Sequence, residues 1–175
     1  MNGFANGGKA RSQGVELSAL YLPVEALQLG VNAAYTKAEL RDPIEISPLL
    51  PPVGLADDQL PDTPRWSGSF TLDYERPLFA SATFSAGAAY RYVGERYSST
   101  QSDPNALLLP SYDMVDLHAG IASDRWTVRF FAKNVTDKRA YSSWARLDDV
   151  LGNFNQIRAV VLQPRTIGLS VDLSF

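Results

Sequence analysis

The last ten residues, Thr166-Ile-Gly-Leu-Ser-Val-Asp-Leu-Ser-Phe175, alternate strictly between small or polar and apolar side chains. Ile167, Leu169, Val171, Leu173 and Phe175 share one parity; Thr166, Gly168, Ser170, Asp172 and Ser174 share the other. Successive side chains of a strand point to opposite faces, so this period specifies a strand with one apolar side. Six further segments carry the same period, at about 13–22, 26–39, 65–76, 81–97, 111–122 and 125–135. Val15, Leu17, Ala19 and Tyr21 run in phase in the first, and Trp66, Gly68, Phe70, Leu72 and Tyr74 in the third. No helical period competes over these stretches. The expected fold is all-β, an antiparallel up-and-down sheet of about seven strands.

The connections add a second constraint. Leu22-Pro-Val-Glu25, Arg76-Pro-Leu-Phe-Ala80 and Ser123-Asp124 are short, whereas 41–64, 98–110 and 136–163 are long. Prolines at 43, 48, 51, 52, 61 and 64 keep the first long stretch out of a sheet ladder, because proline donates no hydrogen bond. Short turns on one side and long loops on the other are the pattern of an outer-membrane barrel. With the short turns placed below, the apolar-face aromatics sort by height. Tyr21, Tyr74, Trp126 and Phe175 fall at the bottom with Phe84 slightly higher, and Tyr35, Trp66, Tyr90 and Tyr92 at the top. Two aromatic rings flanking an aliphatic band form the girdles of a transmembrane barrel. Trp66 and Tyr74 are separated by about 26 Å along a strand, or about 20 Å vertically at a tilt of about 40°, close to the roughly 25 Å apolar band. Tyr112 departs from this, falling on the polar face near the top. A soluble β-sandwich or lipocalin-like barrel is the competing fold; a globular core would not require aromatics at both rims.

Apolar residues make up 45% of the chain and no run of about 18 exists, so no transmembrane helix is expected. Barrel strands escape that test, being apolar on one face only. A formal charge of −3 argues against a nucleic-acid partner. The absence of cysteine removes disulfides, thiolate metal sites and cysteine nucleophiles. No nucleotide-binding glycine fingerprint, phosphate loop, zinc-protease motif or nucleophile elbow is present, so neither an enzyme nor a cofactor is expected.

Several phrases resemble the C-terminal barrel of TonB-dependent receptors. Gly14-Val-Glu-Leu-Ser18 and Leu60-Pro-Asp-Thr-Pro-Arg-Trp66 resemble its strand entries, and Tyr90-Arg-Tyr-Val-Gly-Glu-Arg96 its Tyr-Val-Gly strand exit. Leu109-Pro-Ser-Tyr-Asp-Met-Val-Asp116 is similar to a loop-to-strand signature of the family. Phe131-Ala-Lys-Asn-Val-Thr-Asp-Lys-Arg-Ala-Tyr141 resembles its Asn-Leu-Phe-Asp-Lys-x-Tyr motif, with Asn134, Asp137 and Tyr141 at the matching positions, and Phe175 matches its terminal residue. The resemblance runs from Gly14 onward. It implies a bacterial outer-membrane location and part of a 22-stranded barrel that, with an N-terminal plug, takes up iron chelates, cobalamin or other scarce nutrients. The match covers only the last seven strands. The plug, the TonB-contacting box, the signal peptide and about fifteen strands are not among the segments matched. Residues 1–12 are then an N-terminal loop remnant and 13–175 a partial barrel, with Met1 an internal methionine or a gene-fragment start.

The implied partners are outer-membrane lipid, the barrel-assembly machinery, a small-molecule nutrient such as an iron chelate, and TonB only through the plug region. Val171, Leu173 and Phe175 are implied as the assembly signal. Transport by this chain alone is not expected: open edges in lipid leave backbone groups unpaired, and seven strands is odd and below the usual eight. A small structural or passive-pore barrel is the alternative.

Among individual residues, Arg91, Arg129 and Lys133 point to the lumen. They either attract an anionic chelate or pair with plug or barrel carboxylates such as Glu16, Asp73 or Asp116. His118, on the same face as Asp116, is either a pH-sensitive contact or held by hydrogen bonds, and as the single histidine it does not suggest a metal site. Trp144 and Phe154, in the last long stretch, reach a ligand at the outer rim or fill a loop core. The pairs Asp57-Asp58 and Asp148-Asp149 either bind Ca²⁺ or lie solvated.

Overall fold

A computed structural model describes residues 8–45, 52–79, 81–148 and 154–174, with backbone only at 145–148 and 154–157. In chain order the strands are β1 (Ala10–Val24), β2 (Leu27–Leu40), β3 (Trp66–Phe79), β4 (Ala82–Val93), β5 (Arg96–Tyr97), β6 (Leu108–Leu109), β7 (Tyr112–Ser123), β8 (Trp126–Lys133), β9 (Tyr141–Asp148), β10 (Phe154–Val161) and β11 (Thr166–Leu173). Seven of them form one antiparallel meander in the order β1-β2-β3-β4-β7-β8-β11. The sheet does not close, and β1 and β11 are its free edges.

The register keeps the apolar parity through every pairing. Ala19 lies opposite Val31, Val31 opposite Phe70, Phe70 opposite Tyr90, and Tyr90 opposite Val115. On the far side Phe130 lies opposite Ala119 and Leu169, and Val128 opposite Ile121 and Val171. A slip of one residue anywhere would turn a strand's apolar set inward, so burial of that face in hydrocarbon fixes the register. The pairing rows climb across the sheet. The row through Ile167, at the upper end of β11, passes through Ala132, Leu117, Ala88, Leu72 and Leu29 to Tyr21, near the lower end of β1. Such stagger is the signature of strands tilted within a barrel wall.

The apolar face is uncovered. Trp66 is 58% exposed and Leu169 64%. Tyr35 and Trp66 pack with ring centroids 4.8 Å apart in the upper ring, and Tyr74 meets Phe84 edge-on at 6.4 Å in the lower. Phe175 lies outside the described residues. The buried apolar residues instead cluster toward the long loops: Ala38, Leu40, Leu109, Tyr112 and Ala132.

The structure differs from the sequence reading at three places. Residues 136–163, read as loop, contain the hairpin β9–β10, a two-stranded sheet of its own. In Tyr141-Ser-Ser-Trp-Ala-Arg-Leu147 the bulky apolar residues recur every third position, so a search for period two passes over it. The loop at 98–110 likewise carries β6, which pairs with β5. Third, β3 runs on through Pro77, which lies opposite Thr83. The Glu75 amide donates to Ala26 on the β2 side. Pro77 has the same parity, and β2 has ended there, so its missing donor leaves nothing unpaired.

Two glycines of the quoted phrases are required by close approach. A Cβ at Gly14 would fall 2.1 Å from the carbonyl oxygen of Tyr35, and one at Gly94 2.7 Å from that of Trp66. The Gly94 amide donates to that same oxygen at 2.8 Å. The chain must pass this close where β4 hands over to the loop.

Candidate ligand-binding face and loop cap

The polar parity builds the inner face. One row runs Ser18, Asn32, Ser69, Arg91 across β1 to β4. Ser18 Oγ donates to Asn32 Oδ1 at 2.9 Å, and Asn32 Nδ2 donates to Ser69 Oγ at 3.3 Å. These short side chains, with Glu16 and Arg91 at the margins, leave a hollow of about 440 Å³. Arg91 and Arg129 have no ion-pair partner among the described residues. Lys133 Nζ stands 5.8 Å from the centroid of the Phe131 ring. His118 leans toward Asp73 rather than Asp116, with Nε2 3.9 Å from Asp73 Oδ1. Both stand over Gly87, where a Cβ would lie 2.4 Å from His118 Cε1. Asp116 is occupied otherwise: its Oδ1 accepts the Asn134 amide at 2.7 Å.

Asn134 and Asp137 form a structural knot at the head of β8. Both take left-handed backbone, with φ of 49° and 50°, which a short polar side chain tolerates. The buried Asn134 side chain donates through Nδ2 to the carbonyls of Lys138 (3.0 Å) and Gln163 (2.8 Å) and accepts the Lys138 amide at 2.9 Å. Asp137 Oδ1 accepts the Arg165 amide at 3.1 Å. The motif thus ties the start of the β9–β10 segment to the entry of β11. Tyr141 begins β9, and its ring meets Trp144 edge-on at 4.8 Å. Trp144 Nε1 is buried without a hydrogen-bond partner among the described residues.

Above the sheet the loops lock together around groups that the sequence did not single out. Arg96, 4% exposed, donates through Nη2 to the carbonyls of Tyr141 (3.5 Å) and Ser142, faces Asp62 at 3.9 Å, and lies over the Tyr112 ring. Its signal is long-range, since every partner lies on another element. Thr100 Oγ1 donates to the Val53 carbonyl, and the Asp62 amide donates to the Tyr97 carbonyl at 2.8 Å. Asp57 pairs with Arg41 at 3.6 Å. Asp58 is buried, and its carboxylate accepts the amides of Leu55 and Ser102 and the Ser102 hydroxyl at 2.7 to 3.0 Å. Asp57-Asp58 therefore serves the loops' own closure; among the described residues no cluster suited to a metal ion occurs. Asp149, and the side chains of Asp148 and Phe154, lie outside the described residues.

Burial pushes the Asp58 carboxyl pKa up, but the donors from Leu55 and Ser102 outweigh it and hold it below 3.8. A carboxyl whose folded pKa is depressed stabilises the fold above its unfolded value and loses that contribution as pH falls through the folded one. We therefore expect the contact between the 52–65 and 94–111 loops to weaken progressively as pH falls from 3.8 through the lower folded value. Proteolysis by an acid protease, read as a function of pH, reports this, and Asp58→Asn should remove the pH dependence.

Val171 and Leu173 lie on the outward face, opposite Val128 and Trp126.

The family model "TonB dependent receptor-like, beta-barrel" matches residues 2–135. The metal-pseudopaline receptor CntO of Pseudomonas aeruginosa is 30% identical over 170 residues, covering 96% of this chain and 21% of that receptor. Among solved structures, the ferric yersiniabactin uptake receptor FyuA from Yersinia pestis superposes with a TM-score of 0.75 at 20% identity, covering 97% of this chain and 24% of that one. The ferric preacinetobactin receptor BauA from Acinetobacter baumannii gives 0.68 at 20% identity, covering 95% and 22%. The chain thus spans about a fifth of the length of the curated relatives it matches.

Proposed function

Since the chain belongs to the β-barrel family of TonB-dependent receptors, transport receptors of the outer membrane, we propose that it builds the C-terminal part of the wall of an uptake receptor for a metal–chelate nutrient. The observation that carries this reading is the division of the sheet: a continuous apolar face outside, and inside a polar face with two arginines unpaired among the described residues. Arg91 and Arg129 supply planar, permanently charged donors for an anionic chelate. Lys133 and His118 line the same face, and Trp144 stands in the cap above it. The named relatives take metal complexes of this kind.

In this reading TonB acts on the wall through a plug, and the sheet works as one sector of a larger barrel. Val171, Leu173 and Phe175 serve the barrel-assembly machinery as its recognition strand, and lipid covers the outward face. No catalytic step enters this reading.

Uptake of radiolabelled ferric or zinc chelate is the test, in cells with the coding segment deleted and then restored. We expect uptake to fall to background on deletion, to return on restoration, and to collapse with an uncoupler. Uptake indifferent to deletion overturns the proposal. Uptake that persists with the uncoupler favours a passive pore.

A further inference from the structure

Lys138-Arg139 is the only adjacent pair of basic residues in the chain. It lies in the cap, between the head of β8 and the start of β9. Lys138 keeps 43% of its side-chain surface exposed and Arg139 89%. Their carboxylate neighbours, Asp113 at 4.0 Å and Asp137 at 3.8 Å, hold them weakly, as exposed pairs do. A hollow of about 410 Å³ opens beside the pair, walled by Tyr141, Val161 and Pro164. The two cations are therefore open to a partner.

The backbone that joins them is not. The Asn134 side chain holds both the amide and the carbonyl of Lys138. The Asp137 amide donates to the Asn134 carbonyl at 2.9 Å and closes the turn. On the other flank the Ala140 carbonyl accepts the Leu162 amide at 3.0 Å, and Arg96 donates to the carbonyls of Tyr141 and Ser142. The bond between Lys138 and Arg139 is thus pinned from both sides, beside the left-handed backbone of Asp137. Proteolysis of a folded chain proceeds through locally opened backbone, and here hydrogen bonds hold that backbone shut.

We infer that Lys138–Arg139 is a latched cleavage site for an endoprotease that cuts between paired basic residues, with Asn134 as its latch. The exposed cations supply recognition, and the clasped backbone withholds the reaction. In that reaction water adds to the Lys138 carbonyl carbon and the bond to the Arg139 nitrogen breaks. The products are a Lys138 carboxylate and an Arg139 amine. The latch is anchored on the inner face, because Asp116 Oδ1 accepts the Asn134 amide. Loss of that acceptor loosens it from the lumen side. Every rung between β8 and β11 precedes Asn134 on β8, so the cut leaves that ladder whole. It frees hairpin β9–β10 from the head of β8 and loosens the cap while sparing the wall. The inference is independent of which nutrient is carried.

The test incubates the membrane-inserted protein with an omptin-type endoprotease, which cuts between paired basic residues. Mass spectrometry counts the fragments that end at Lys138 and begin at Arg139. We expect Asn134→Ala to be cut about tenfold faster than the wild type or more, since the bonds that close the latch are lost and cleavage follows the open population. Asp116→Ala, which leaves the Asn134 side chain in place, should be cut at an intermediate rate. Arg139→Gln added to Asn134→Ala should keep the chain whole and so locate the cut. The clipped protein should retain the strand signal of its circular dichroism. A wild-type chain cut as fast as Asn134→Ala overturns the inference, as does an Asn134→Ala chain that stays whole. Should Asn134→Ala lose the sheet itself, Asp116→Ala decides: cleavage no faster than in the wild type overturns the latch.

Discussion

Phe70→Arg is expected to cost about 2–4 kcal/mol of folding stability in a bilayer, the penalty for a cation at the midplane of a barrel's lipid face. Phe70 lies in the row Ala19, Val31, Phe70, Tyr90, Val115, between the two aromatic rings. Its neighbour Ser69 points inward and, among the described residues, its hydroxyl accepts the 3.3 Å contact from Asn32. Ser69→Arg should therefore cost less than about 1 kcal/mol, the range of solvated surface substitutions. Urea unfolding of the vesicle-inserted protein, followed by heat-dependent gel mobility, measures both. Equal costs at the two adjacent positions would mean that the faces are not divided between lipid and lumen.

Asn134→Ala should be the most damaging change in the loop cap, by about 2–4 kcal/mol, because it strands buried backbone groups. Two carbonyls, of Lys138 and Gln163, lose their donor, and the Lys138 amide loses its acceptor. Alanine must also hold the left-handed backbone at φ 49°, worth a further 1–2 kcal/mol or so for a residue with a Cβ. Asn134→Gly separates the two causes, since it frees the backbone but restores none of the hydrogen bonds. Hydrogen exchange at the Lys138 amide is the direct readout. It should lose protection in both variants, and unchanged exchange would show that the side chain is not what holds the turn.

What could be read in advance follows from the range of the forces. The seven strands of the main sheet were legible because bilayer burial imposes period two on each of them locally, from Val15-Glu-Leu17 to Val171-Asp-Leu173. The face taken by Tyr35, Trp66, Tyr74 and Tyr90 was legible because strand parity fixes it. Hairpin β9–β10 was not, since it packs in the cap, where Tyr141 and Trp144 sit three apart. Arg96 was invisible for another reason. Its partners Asp62, Tyr112, Tyr141 and Ser142 lie on three other parts of the chain, and no local pattern announces them. Gly14 and Gly94 fall between these cases. Their phrases were noticed, but the reason for glycine is a neighbour's carbonyl across the sheet.

The order β1-β2-β3-β4-β7-β8-β11 makes both free edges run in the same direction. Two upright copies meeting at any pair of these edges would have to join in parallel, off the alternation that the rest of the wall obeys. An antiparallel joint between copies requires one of them to stand upside down, with its loop cap on the wrong side of the membrane. The long exposed edge of β1 is thereby poorly matched to its own kind in a shared bilayer, and it selects for completion a strand that rises from the short-turn side.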